Sequence, residues 1–168
     1  MSKMVFATVG TTKFTALMET LDKEEVQAAL HARGFRRLVI QYGKSTVVPK
    51  KRAGIEIEAY QYKPSLTEDM LRAQLIISHA GAGSVMEALR AKKRLIVVIN
   101  DKLMHNHQAE LASAMAEAGY CASAVPSSLQ SVIQEEGSMT LGALPPLDLR
   151  PFSRAVTDLM GMGDLKKD

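Results

Sequence analysis

The sequence predicts an α/β domain of Rossmann-like type, with a mainly parallel sheet covered by helices on both faces. Three observations predict it. Short apolar runs of strand length alternate with stretches whose apolar residues recur at helical spacing. The runs are continuous rather than alternating, as in strands buried on both sides. Small-residue turns stand where a run gives way to a helix. The chain has 168 residues, 46% apolar and 23% charged, enough to bury one such core.

Met4 to Val9 reads as the first buried strand, ending at Gly10. Phe14, Leu17, Met18 and Leu21 then follow at the spacing of one helix face. A second helical stretch carries Val26, Ala29 and Leu30 and stops at Gly34, a C-terminal cap. Leu38-Val39-Ile40 is the next strand, and Ile55 to Tyr60 alternates as another, with the basic loop Gly43 to Gly54 between them. Ser65-Leu66-Thr67-Glu68 has the capping-box pattern and opens a short helix. Strand Leu75 to Ser78, a helix from Ser84, strand Leu95 to Ile99, a helix from about Asn106 to Ala118 and strand Tyr120 to Val125 complete the alternation. This places a compact unit at residues 1–136, a Gly- and Pro-rich linker at 137–151 and a last helix and tail at 152–168. Phe152, Ala155, Val156, Leu159 and Met160 form a stripe on that helix, suited either to its own domain or to a partner chain.

Several function classes are excluded. A net charge of +3 with 5% aromatic residues is neither the basic footprint nor the stacking platform of a nucleic-acid binder. The lone Cys121 allows no internal disulfide and no multi-cysteine zinc site, and its place at the start of a strand suits a core residue. No apolar run approaches the roughly 18 residues of a spanning helix, and Gly10-Thr11-Thr12 interrupts the N-terminal run before a signal peptide can form. Gly43-Lys44-Ser45 ends like a Walker A loop, but Leu38 stands where its first Gly is needed. His79, His105 and His107 have no acidic partner at a metal-ligand spacing, so no metal site is expected. Glu56 and Glu58 read as the solvated face of a strand, and Lys50 to Arg52 and Lys92 to Arg94 as solvated surface.

The strongest chemical signal is Ser78-His79-Ala80-Gly81-Ala82-Gly83-Ser84-Val85-Met86-Glu87, a buried strand running into a small-residue turn and a helix. Gly81 and Gly83 permit close backbone approach, and the free N–H groups of the first helical turn, reached through Gly81-Ala82-Gly83-Ser84, face an anion such as a diphosphate. The plain alternative is a tight turn in which Ser84 and Glu87 form a capping box. The dinucleotide fingerprint is absent because the third Gly is missing. Gly10-Thr11-Thr12, at another strand end, offers hydroxyls and N–H groups to a phosphate or sugar oxygen, with Thr as a helix N-cap as the alternative. His105-Asn106-His107-Gln108 opens a helix at the same rim, where the Gln108 amide can both donate to and accept from vicinal hydroxyls. A solvated first turn is the alternative there.

These segments, together with Ile40 to Pro49 and Val98 to Gln108, closely resemble the family 28 glycosyltransferases. They are most similar to the soluble subunits of the eukaryotic dolichol-pathway N-acetylglucosaminyltransferases, over about residues 4 to 125. The resemblance implies the donor-binding half of a two-domain glycosyltransferase. It implies inverting transfer of GlcNAc from UDP-GlcNAc to GlcNAc-diphosphodolichol, with no metal or cofactor. By the same resemblance Glu87 accepts hydrogen bonds from the ribose hydroxyls. Gln108 and Asn106 orient the sugar ring, and Thr11 and Thr12 close the other side of the cleft. His79 is the one intrachain base, a group of a partner being the alternative. The resemblance also implies a heterodimer with a membrane-anchored partner subunit of the asparagine-linked glycosylation protein fourteen type. That partner would hold the otherwise cytoplasmic chain at the cytosolic face of the endoplasmic reticulum. Two competing readings remain: a bacterial-type polysaccharide glycosyltransferase subunit using another UDP-sugar and a polyprenyl acceptor, and a non-catalytic nucleotide-sugar-binding regulatory module.

Overall fold

The computed structural model describes residues 2–102, 107–135 and Arg150. The expected linker at 137–151 and helix at 152–168 lie outside the described residues apart from Arg150, as does Asn106.

The described chain runs β1 (Lys3–Thr8), α1 (Thr15–Leu21), α2 (Glu24–Ala32), β2 (Phe35–Gln41), β3 (Glu56–Tyr60), α3 (Thr67–Arg72), β4 (Leu75–His79), α4 (Ala82–Arg90), β5 (Arg94–Val98), α5 (His107–Glu117), β6 (Ala122–Ala124), a 3-10 turn (Pro126–Ser128) and α6 (Leu129–Gln134). The six strands form one sheet in the order β3-β2-β1-β4-β5-β6, and every pairing is parallel. Alternate strand residues feed two cores. Val5, Ala7, Leu38, Ile40 and Ile77 pack under α1, α2 and α6, whereas Met4, Phe6, Val39 and Ile76 pack under α3, α4 and α5. A sheet covered on both faces explains why its central strands read as unbroken apolar runs. Each fully buried Leu or Ile contributes about 1.5–3 kcal/mol, and Leu17, Leu30, Leu38, Ile40, Leu75, Ile76 and Ile77 are all of this kind.

The connection from β2 to β3 is unusual. A parallel crossover normally carries a helix, but here residues 42–55 form an irregular strap pinned against α2. The buried Gln27 side chain does the pinning. Its Nε2 donates to the Leu21 carbonyl (2.9 Å) and the Lys50 carbonyl (2.8 Å), and its Oε1 accepts from the Arg52 N–H (2.8 Å). Asp22 accepts from the Lys50 N–H at 2.9 Å. That hydrogen bond, with help from the Arg52 guanidinium, holds its carboxyl below the usual range against a smaller opposing effect of burial.

Both expected capping boxes are corrected. Helix α3 starts at Thr67 with Leu66 as its uncapped N-cap residue, and Ser65 Oγ accepts from the Thr67 N–H at 3.2 Å in a local turn. Helix α4 starts at Ala82 rather than Ser84, so Ser84 lies inside the first turn and Glu87 is free to bond elsewhere. Helix α6 goes unannounced by any stripe longer than Leu129 and Ile133, both fully buried. The Lys92 to Arg94 run is not plain solvated surface. Lys93 Nζ donates to the Leu71 carbonyl at 2.7 Å, and Arg94 Nε is buried without a partner, burial lowering its pKa. Glu56 and Glu58 are exposed as expected and pair with Lys51 and Arg37.

Candidate functional site

Strand β1 lies between β2 and β4, so the chain leaves it toward one sheet edge and later returns to the other side. Such a reversal opens a crevice beyond the carboxyl ends of the two central strands. The β1 and β4 ends are in register, Thr8 opposite Ser78, which sets the Gly10 loop beside the Ala80-Gly81 turn.

The His79 ring fills the space between these loops. A Cβ at Gly81 would lie 2.2 Å from His79 Nε2, and one at Gly10 would lie 3.1 Å from Cε1. Gly81 is therefore needed to admit the imidazole, whereas Gly10 is demanded chiefly by its backbone, held at φ +61. Gly81 thus answers first to protein packing, a reason additional to the ligand approach expected from the motif. Burial lowers the His79 pKa, the Thr8 backbone opposing this, and Nδ1 is buried with no hydrogen-bond partner of normal geometry. The ring is accordingly neutral near pH 7.

Helix α4 begins directly after this ring. Gly81 is its N-cap, extended at φ −85 and ψ 127, and no side chain caps the first turn. The first intrahelical bond runs from the Val85 N–H to the Gly81 carbonyl (3.0 Å), so the N–H groups of Ala82, Gly83 and Ser84 point out of the helix end. Helical spacing turns Val85, Met86, Ala88 and Leu89 into the core and leaves Gly83 exposed, with Ser84 and Glu87 half-exposed beside it. A Cβ at Gly83 would meet nothing within 4 Å among the described residues. This open, uncapped and positively polarised turn is suited to an anion.

The remaining expected residues are placed unequally. Gln108 is brought to the site, lining the narrow cleft between α4 and α5 with Ala80, Ala82 and Val85. Thr11 is exposed at the tip of the β1 loop. Thr12 directs both its N–H (3.2 Å) and its hydroxyl (2.8 Å) to the Val9 carbonyl, and it does not cap α1, whose N-cap residue is Phe14. Glu87 Oε1 accepts a hydrogen bond from Thr67 Oγ1 at 2.9 Å.

Sequence reasoning missed the loop that supports this crevice from behind. A Cβ at Gly43 (φ +56) would lie 2.5 Å from the Thr12 carbonyl oxygen, which also accepts from the Lys44 N–H at 3.0 Å. Ser45 Oγ accepts from the Phe14 N–H at 2.9 Å. The sequence marked this stretch by its Gly-Lys-Ser triplet and by the place of Ile40 to Pro49 in the family resemblance, but not by these contacts. It missed also the group at the β3 end, where buried Asp69 accepts from Tyr60 Oη (2.5 Å) and Lys63 Nζ (2.9 Å). Burial and the neighbouring Asp69 push the Tyr60 hydroxyl well above its ordinary pKa. Burial of Asp69 works to raise its own carboxyl, but these two donors together hold it below the usual range. Cys121 is pushed up to about 12 by burial, and it packs against the second core. Among the described residues no three His, Cys, Asp or Glu side chains converge as a metal site, and no helix is long and apolar enough to cross a membrane.

Residues 4–144 match the sequence profile of the glycosyltransferase family 28 C-terminal domain. A Homo sapiens protein named UDP-N-acetylglucosamine transferase subunit ALG13 is 40% identical over 160 residues, covering 87% of this chain. The chain spans only 14% of the length of that relative. A Saccharomyces cerevisiae protein of the same name is 30% identical over 192 residues, covering 93% of this chain and 95% of its own length. Among solved structures, the NMR solution structure of ALG13 superposes with a TM-score of 0.71 at 24% identity, over 99% of this chain and 98% of that one. That last likeness is one of fold, and the fold is the Rossmann-like arrangement expected.

Proposed function

The chain belongs to the glycosyltransferase family 28 C-terminal domain family, and on that footing we propose that it is the donor-binding subunit of an N-acetylglucosaminyltransferase. The donor is UDP-GlcNAc and the acceptor GlcNAc-diphosphodolichol. A membrane-anchored partner subunit supplies acceptor binding and holds the chain at the cytosolic face of the endoplasmic reticulum. The observation that carries this reading is the uncapped first turn of α4, open at Gly83 and set beside the crevice where β1 and β4 end. The names of the relatives supply the sugar nucleotide.

The reaction is a single displacement with inversion. The acceptor hydroxyl attacks the anomeric carbon, the bond from that carbon to the diphosphate oxygen breaks, and UDP leaves with its electron pair. Charge builds on the diphosphate as the bond lengthens, and the N–H groups of Ala82, Gly83 and Ser84 stabilise it without reorganising. A helix terminus of this kind contributes up to about 2 kcal/mol toward an anion. Glu87, roughly 7.5 Å further along the axis at 1.5 Å per residue, receives the ribose hydroxyls. Gln108 with Asn106 orients the GlcNAc ring, and Gly10, Thr11 and Thr12 close the opposite side. Neutral His79 is this chain's acceptor for the proton of the attacking hydroxyl. The segment 152–168 docks the partner, tethered through 137–151.

The test is a radiolabelled UDP-GlcNAc assay on a GlcNAc-diphospho-lipid, with and without partner membranes. Label is expected in the lipid only when both are present, and excess unlabelled UDP-GlcNAc should compete better than other UDP-sugars. UDP binding without any transfer in the assembled complex would identify a regulatory module instead. Preference for another sugar would identify a polysaccharide enzyme.

A further inference from the structure

Glu87 is a flexible carboxylate on the half-exposed face of a helix, yet its direction is set from a different helix. Thr67 Oγ1, in the first turn of α3, lies 2.9 Å from Glu87 Oε1. Ser65 Oγ lies 3.1 Å from Thr67 Oγ1 and 3.2 Å from the Thr67 backbone nitrogen. The order of donation follows from chemistry. An ionised carboxylate only accepts, so the single Thr67 hydroxyl proton must go to Glu87. Thr67 Oγ1 is then an acceptor for the Ser65 proton, and Ser65 Oγ in turn accepts from the Thr67 N–H. Every proton in the chain has one destination, and Glu87 Oε2 is left as an oriented acceptor.

The base of this relay is anchored although its hydroxyls are exposed. Asp69, in the same turn of α3, is 4% exposed and takes hydrogen bonds from Tyr60 on β3 and from Lys63. The Lys63 ammonium sits 4.2 Å above the Tyr60 ring. Met70 is buried in the core that also holds Met86 and Leu89 of α4. The turn bearing Thr67 is thus fixed to both the sheet and α4, as a residue that orients a neighbour must be.

We propose that Thr67 is a positioning residue for Glu87, and that the Ser65–Thr67–Glu87 relay tunes the site for a nucleotide whose sugar carries both vicinal hydroxyls. The inference rests on the reading above, in which Glu87 receives the ribose. Without the relay Glu87 must be ordered when ligand binds, a cost that falls only on ligands able to use it.

The experiment measures UDP and 2′,3′-dideoxy-UDP binding to the full chain by calorimetry, for the wild type, Thr67→Val, Thr67→Ser and Glu87→Gln. Thr67→Val should weaken UDP by about threefold to tenfold, the range set by ordering one long side chain. It should leave the dideoxy nucleotide unchanged, and Thr67→Ser should restore the wild-type value. Equal weakening of both nucleotides by Thr67→Val, or no weakening of either, overturns the proposal while Glu87→Gln still reports on the ribose. If the wild type fails to bind UDP, or binds both nucleotides alike, the assignment of Glu87 to the ribose falls and this inference falls with it.

Discussion

Replacing Gly83 by alanine should make the protein more stable and a poorer nucleotide binder. Gly83 lies in the first turn of α4 and is not among the residues of positive φ, so alanine fits its backbone. Its new Cβ meets no atom within 4 Å among the described residues. Restricting the unfolded chain then stabilises the native state by about 0.5 kcal/mol. For a domain of this size that raises Tm by about 1–2 °C. The same methyl group stands on the surface from which the Gly83 N–H would meet a diphosphate oxygen. If the oxygen is held off or the hydrogen bond lengthened, about 1.5–3 kcal/mol of charge-assisted bonding is lost, equivalent to about a tenfold to hundredfold rise in Kd. Thermal melts with and without UDP, and calorimetry of UDP on both proteins, measure the two effects separately. Gly83→Ala with unchanged UDP affinity would refute the location of the diphosphate. A fall in Tm without ligand would refute the helical, unobstructed environment assigned to Gly83.

Two further outcomes follow from the geometry. Gln27→Leu keeps the volume but strands the Arg52 N–H and the Leu21 and Lys50 carbonyls; it should cost about 3 kcal/mol and lower Tm by about 6–12 °C, and a drop below about 2 °C in a melt would show that the strap does not depend on it. The folded-state pKa of His79 is depressed, so its neutral form stabilises the fold fully above the unfolded value of about 6.5 and loses that contribution as pH falls toward the lower folded value. His79→Asn should flatten the pH dependence of Tm below about 6.5, and an unchanged slope would refute the burial of that ring.

Much of the architecture was legible because the physics that forms it is local. β1, β2, β4 and β5 announce themselves as apolar runs, since both faces of each are covered, and α1 and α2 announce themselves by stripes that match their buried residues. The capping boxes were not legible. Ser65 and Ser84 each precede a Glu at the right spacing, but whether a Ser is an N-cap depends on where the backbone turns helical. The packing of Leu66, partly buried against the second core, and of the His79 ring against Gly81 shifts the first residue of each helix. Nor does the β2–β3 strap have a local signature, because its hydrogen bonds join residues 23 to 28 positions apart. In the site, Gln108 lines one cleft with Ala80 and Ala82, the neighbours of Gly81, in keeping with its position at a helix start. Thr12 is exposed but spends its hydroxyl proton on the Val9 carbonyl, which leaves its oxygen to act as an acceptor. Thr67 was invisible, being twenty positions from the carboxylate it touches.

The Gly81-Ala82-Gly83 triplet reads in sequence as one device for admitting a phosphate, and the structure divides it into two with different causes. Gly81 has no Cβ because the imidazole of His79 occupies the place where one would stand, and the Cε1–Nε2 edge of that ring also faces Gly10. A side chain at Gly81 displaces the ring, and one at Gly10 strains a backbone held at positive φ and crowds the same ring, whether or not any ligand binds. Gly83 faces no atom of the described residues, so the packing seen there gives its bareness no structural use. Loss of binding in a Gly81 variant therefore says little about where the diphosphate lies, since protein packing is disturbed at the same time. At Gly83 the two causes separate, and a change in affinity without a loss of stability reports on the ligand alone.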